Sequence, residues 1–358
     1  MTTTMKTSAL VPFAVLASAI TAFAQGPLTP PPGVPSPVMK SLDQIEARIP
    51  LVAGQAGVTV AANGSISITQ PGSYYLTGNL TLTTAGVNGI TISVGHVTLD
   101  LNGFTLTNVT GNGGDAVVIV GGNVTVRNGT IRGGTTLTGS TFTPAGWDEG
   151  ITTNSSFGSL AVEHVSVSGV RTSGILLSYQ GSRIENCSVN TVGGIGLLAS
   201  SISFSSARKT GASAISASTD PDSGSISNCF GETVSLSGHG IYAPDGLVIN
   251  SRGVAIGGYG INAETANNCY GTSVSETGLT VSVGENCRGV STSGIGIIGI
   301  ALTNCHGLSS SGTYAISTVL ATSCVGSRPG GIAISATTVN GCHAAAGTVS
   351  ATNKYNMP

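Results

Sequence analysis

One four-residue motif returns along the chain at a nearly fixed interval. Asn186-Cys187-Ser188-Val189, Asn228-Cys229-Phe230-Gly231, Asn268-Cys269-Tyr270-Gly271, Asn286-Cys287-Arg288-Gly289 and Asn304-Cys305-His306-Gly307 are variants of it, continued by Ser323-Cys324-Val325-Gly326 and Gly341-Cys342-His343-Ala344. Successive cysteines lie 42, 40, 18, 18, 19 and 18 residues apart, so the first two gaps read as double steps. Ser206-Ala207-Arg208 fills the first, with alanine in the cysteine place, and Asn250-Ser251-Arg252-Gly253 fills the second, with serine there. Asn102-Gly103, Asn128-Gly129 and His164-Val165-Ser166 extend the series upstream. A second pattern runs between these sites: Gly150-Ile151, Gly174-Ile175, Gly194-Ile195, Gly240-Ile241, Gly260-Ile261, Gly294-Ile295 and Gly331-Ile332. Short β-rich runs separated by Gly, Ser and Asn, repeating at roughly 22 residues, predict a solenoid of parallel strands.

Composition agrees. Glycine supplies 53 of 358 residues, while charged residues make up 8% and aromatics 4%, which excludes a charged disordered tail and disfavours a helical bundle. The formal net charge of -2 leaves no basic stripe to neutralise phosphates, so nucleic acid is not an expected partner.

Residues 1–24 read as a signal peptide: Lys6 is followed by an apolar run from Ala9 to Phe23, and Ala22-Phe23-Ala24 offers small residues for cleavage. Secretion to the periplasm or the extracellular space is expected, with no membrane segment after cleavage. Residues 25–38 form a proline-rich linker. Met39, Leu42, Ile45 and Ile49 give helix-period spacing over 39–50, ended by Pro50, a short helix suited to capping a solenoid end. The repeat domain is assigned to 51–358.

The Gly-Ile repeats, the Ile-x-Asn-Cys pattern and the opening Val97-Thr98-Leu99-Asp100-Leu101-Asn102-Gly103 resemble the right-handed parallel β-helix proteins of the pectate-lyase-like superfamily. The resemblance covers roughly Gly72 to Val349 and implies an all-β solenoid of about 12 coils. It implies little about activity, because that superfamily holds lyases, hydrolases, tail spikes and adhesins.

In a solenoid each motif position stacks into a column. Asparagine tolerates a left-handed bend and its amide can bond neighbouring coils, so the asparagine column reads as structural. The cysteine column is expected to face inward as packed thiols, with one or two adjacent bridges open; a line of thiols does not converge on a tetrahedral metal. Alternation then sends the next residue outward. From Arg208 this column reads Arg208, Phe230, Arg252, Tyr270, Arg288, His306, arginines alternating with rings. Stacked guanidinium groups and rings suit sugars and carboxylates, so a polysaccharide or cell-surface glycan is the expected partner. The alternative is that these side chains only stack on one another.

Catalytic constellations are sparse. Gly238-His239-Gly240 resembles the Gly-His-Gly of polygalacturonases, but the paired aspartates and Arg-Ile-Lys of that branch are missing, and His239 occupies the slot that Tyr259 holds one coil later. The other candidate is the insertion from Gly133 to Glu149, with Trp147 as a sugar-stacking residue and Asp148 and Glu149 as acids. Arg127, Arg132, His164 and Arg171 flank it and could converge there; otherwise the tryptophan packs down and the acids are merely solvated. No cofactor is expected. Calcium enters only if the chain is a polysaccharide lyase, the enzymatic alternative beside a glycoside hydrolase. Oligomeric state is not readable from the sequence.

Overall fold

The computed structural model describes residues 48–110, 113–154, 158–217 and 224–357. The expected signal peptide over 1–24, the expected linker over 25–38 and residues 39–47 lie outside them. Every regular element among the described residues is a strand, and nearly all pair in parallel with strands one coil away. The chain winds as a parallel β-helix with three sheets.

The first sheet stacks the strands that follow Gly150, Gly174, Gly240 and Gly260, while Ile195, Ile295 and Ile332 of the other Gly-Ile pairs fall two residues before the column members Leu197, Ile297 and Ile334. Ile241, Ile261, Leu279, Ile297, Ile316 and Ile334 lie in register over one another, each fully buried. An aliphatic side chain fully removed from water contributes about 1.5–3 kcal/mol, so this column supplies much of the core's driving force. The second sheet carries an inward column through Val162, Ile184, Ile202, Ile226 and Val248. The third begins one residue after the cysteine place, and its registered residues run Ser166, Ser188, Ser206, Phe230, Arg252, Tyr270 and onward.

Asparagine makes the bend between the second and third sheets. Asn128, Asn186, Asn228, Asn250, Asn268, Asn286 and Asn304 all have positive φ between 48° and 58°, a conformation costly for most side chains but tolerated by asparagine. Their amides ladder between coils: Asn250 Nδ2 donates to Asn228 Oδ1 (3.4 Å) and Asn268 Nδ2 to Asn250 Oδ1 (3.3 Å). All seven cysteines are buried and unbridged, and burial pushes the Cys187 and Cys229 thiols up to about 11. A serine column fixes the following turn: Ser273 Oγ donates to the Gly258 carbonyl (2.7 Å) and accepts the Glu276 amide (3.0 Å).

Two expectations need correction. Of the helix over 39–50, only Arg48, Ile49 and Pro50 are described, and Ile49–Pro50 is a strand in parallel register with Tyr74 and Tyr75. The solenoid therefore begins before its assigned boundary at residue 51, because Ile49 continues a sheet. The coil after Cys187 was also misplaced by two residues. Ser188 pairs with Ser206, and Ser205 Oγ accepts the Cys187 amide (3.0 Å), so Ser205 holds the cysteine place and Phe204, with φ 48°, the asparagine place. Arg208 follows Ser206 by two residues and is not in the outward column.

Candidate functional site

The third sheet presents Phe230, Arg252, Tyr270, Arg288 and His306 on successive coils in register. Each is flanked by a buried residue in the cysteine place and a buried glycine, so strand alternation aims all five outward. The guanidinium of Arg252 lies 5.6 Å from the Phe230 ring centre and 5.1 Å from that of Tyr270, and Arg288 lies 5.3 Å from Tyr270. Arg208, though outside the column, reaches back to 4.1 Å from Phe230. Its charge is answered by Glu232 at 3.7 Å. Among the described residues, neither Arg252 nor Arg288 has a carboxylate partner. Burial, then the charge of Arg288, lowers the His306 pKa, so its imidazole is neutral at pH 7.

Beside this column runs the asparagine ladder, and the two enclose a groove of about 720 Å³ lined by Phe204, Asn228, Phe230, Asn250, Arg252 and Tyr270, among others. Phe204 is 59% exposed at one end. It was missed because Ala207 mimics a small residue in the cysteine place. The 18-residue step from Cys187 to Ser205, matching the steps from Ser251 onward to within one residue, is the signal that identifies it.

The insertion behaves differently from its sugar-stacking expectation. Trp147 is 0% exposed and belongs to the core, so it offers no face to a ligand. The rest of the insertion forms an antiparallel hairpin, Thr136–Thr138 with Thr141–Thr143. Asp148 Oδ1 pairs with Arg171 Nη1 at 2.7 Å, and the main chains of the two coils are joined by Arg171 N donating to Trp147 O (2.9 Å). Of the four flanking groups only Arg171 converges on the acids. Arg127 instead pairs with the buried Asp100 (3.2 Å), His164 occupies the asparagine place with φ 55°, and Arg132 stands in the third sheet opposite Ser168.

Sequence reasoning did not single out Asp115, whose Oδ1 accepts the Glu149 amide (3.0 Å). Burial, followed by the nearby Glu149 charge, raises its carboxyl pKa to about 6. Because the fold disfavours the carboxylate, the native state holds a proton that the unfolded chain has released between about pH 4 and pH 6. Stability from this group therefore falls as pH rises through that window. Asp115→Asn, which keeps an oxygen for the Glu149 amide, should raise unfolding free energy at pH 7.5 by about 1 kcal/mol after solvent screening, and leave it unchanged at pH 4. Denaturant melts at both pH values check this; an equal effect at both would contradict it.

His239 is held as a structural group. It stacks between Tyr242 (4.8 Å) and Tyr259 (5.1 Å), and its Nδ1 accepts the Tyr259 amide at 3.0 Å. Burial lowers its pKa, and no carboxylate among the described residues pairs with it.

No family model and no curated protein matches the chain. Solved structures similar to it include the A-module of a mannuronan C-5 epimerase from Azotobacter vinelandii, at 11% identity over 80% of this chain and 89% of that one, with a TM-score of 0.42. A polygalacturonase from Erwinia carotovora ssp. carotovora is similar at 12% identity over 81% and 89%, with a TM-score of 0.32. Likeness at this level carries nothing about activity.

Proposed function

We propose that this chain is an exported, non-enzymatic binding protein that holds extracellular or cell-surface polysaccharide along the Phe230 to His306 face. The observation that carries the reading is the pair Arg252 and Arg288, stacked against rings and lacking a carboxylate partner among the described residues. Stacking holds each guanidinium in place before a ligand arrives, so little rotamer entropy is lost on binding. The outward rims of the rings give sugars an apolar surface, and the free guanidinium edges suit carboxylates. The rung spacing of 4.7–4.9 Å is about the length of one pyranose in an extended chain, so a polymer can follow the solenoid axis. This function needs no cofactor.

The test is a glycan array followed by titration of the bound polymers. Arg252→Ala combined with Tyr270→Ala should weaken binding by at least about 30-fold, since each contact is worth on the order of 1 kcal/mol or more. Both side chains point outward, so the melting temperature should hardly move. Unchanged affinity would remove the platform.

A second reading is favoured by Asp115, a carboxyl with a pKa of about 6 beside Glu149 and Asp148. Such a group can hold a proton near neutral pH, as a glycoside hydrolase acid must. In this reading the chain is a polysaccharide hydrolase or lyase on an acidic polymer, calcium belonging only to the lyase. Reducing-end or unsaturated-product formation by the folded protein, abolished by Asp115→Asn, would establish it.

A further inference from the structure

Arginine occupies two alternate rungs of the column, not successive ones. Arg252 and Arg288 are separated by the Tyr270 coil, so their coils lie about 9.6 Å apart at the usual strand spacing. That distance is about the length of two extended pyranoses. Between them Tyr270 brings no cation of its own: the guanidinium groups of Arg252 and Arg288 lie over its ring from the two neighbouring coils, at 5.1 and 5.3 Å, so a sugar meets the outward rim of the ring rather than its face.

The two flanks of the column differ. On one side stand the amides of Asn250 and Asn268, donors and acceptors for hydroxyl groups. On the other, two residues further along each strand, stand Val254, Thr272, Val290 and Leu308 in register. A carboxylate turned toward that row would lose water without gaining a cation. A charge on the intervening sugar therefore finds no cation at the Tyr270 rung itself and none on the far flank.

We infer that the ligand is a linear polysaccharide in which acidic and uncharged sugars alternate, one carboxylate per disaccharide, lying along the solenoid axis with its carboxylates on Arg252 and Arg288 and an uncharged sugar over Tyr270. This rests on the binding reading above and narrows it to a substrate class. General electrostatic attraction makes the opposite prediction, since a polymer charged on every sugar carries twice the charge.

The experiment titrates the folded protein with three hexasaccharides: hyaluronan, with one carboxylate per disaccharide; a β-1,4-linked oligoglucuronate, charged on every sugar; and uncharged cellohexaose. Hyaluronan should bind at least about 10-fold more tightly than the oligoglucuronate, and more tightly again than cellohexaose. Arg252→Gln with Arg288→Gln should cost hyaluronan at least about 10 times more affinity than it costs cellohexaose. Oligoglucuronate binding as tightly as hyaluronan, or cellohexaose doing so, would overturn the alternation while leaving polysaccharide binding in place. Binding of none of the three, with the glycan array also blank, would overturn both. Equal losses for both ligands in the double variant would show that the arginines act only through packing.

Discussion

Trp147→Ala should be among the most damaging single substitutions in the insertion, lowering unfolding free energy by about 3–5 kcal/mol. Trp147 heads the fully buried side chains by volume and sits in the continuous core. Its removal leaves a cavity that strands hydrogen-bonded to both neighbouring coils cannot readily collapse to fill. Trp147→Phe should cost far less, because the indole Nε1 is buried without a hydrogen-bond partner. Phenylalanine loses volume but no bond, and removes an unsatisfied donor. Circular dichroism melts of the two variants provide the comparison, since tryptophan fluorescence disappears with the protein's one tryptophan. Glycan binding by the folded fraction should be unchanged in both, because no part of the ring reaches solvent. A small stability loss with abolished binding would instead restore a ligand role for this residue.

Much of the fold was legible because a solenoid writes each structural need many times. Asn-Cys-x-Gly encodes a left-handed bend, an inward filler, an outward residue and a close approach, and its recurrence fixes the phase of alternation along the third sheet. The register of Phe230, Arg252, Tyr270, Arg288 and His306 followed from that phase alone. Where the repeat lapses, the phase lapses with it. Trp147 lies in an insertion with no second copy to say which way it points, and chemistry alone suggested a surface role. Arg208 was assigned by the resemblance of Ala207 to a small core residue, although Ser205 keeps the 18-residue step. Asp115 carries no motif. Its raised pKa arises from burial first and then from the Glu149 charge, which the insertion brings against it from another coil.

Gly271→Ala should cost at least about 3 kcal/mol, although it adds one methyl group. A Cβ at Gly271 would overlap the carbonyl of Gly278, and the same collision recurs one coil earlier between Gly253 and the Gly260 carbonyl and one coil later between Gly289 and that of Gly296. Here the glycine after the outward residue faces the glycine before the next Gly-Ile strand, so the third sheet closes onto the first at backbone contact. Because the obstacle is backbone, no side-chain rotation relieves it, and the coil must widen. Adjacent coils share the strain: Gly271→Ala and Gly289→Ala together should cost less than the sum of their separate effects, since the first substitution opens the corner for the second. Gly78→Ala is the control, its Cβ position having nothing within 4 Å, and should be nearly neutral. Urea unfolding of the four variants measures all of this, and a cost below about 1 kcal/mol for Gly271→Ala would mean the two sheets part easily. The consequence reaches the binding face, because Tyr270 and Arg288 each precede one of these glycines. A widened corner shifts a ring and a guanidinium held 5.3 Å apart, so Gly271→Ala should weaken glycan binding without altering any atom that touches the ligand. The glycine excess and the exposed ladder are thus two sides of one strand, the inward close approach setting where the outward side chain stands.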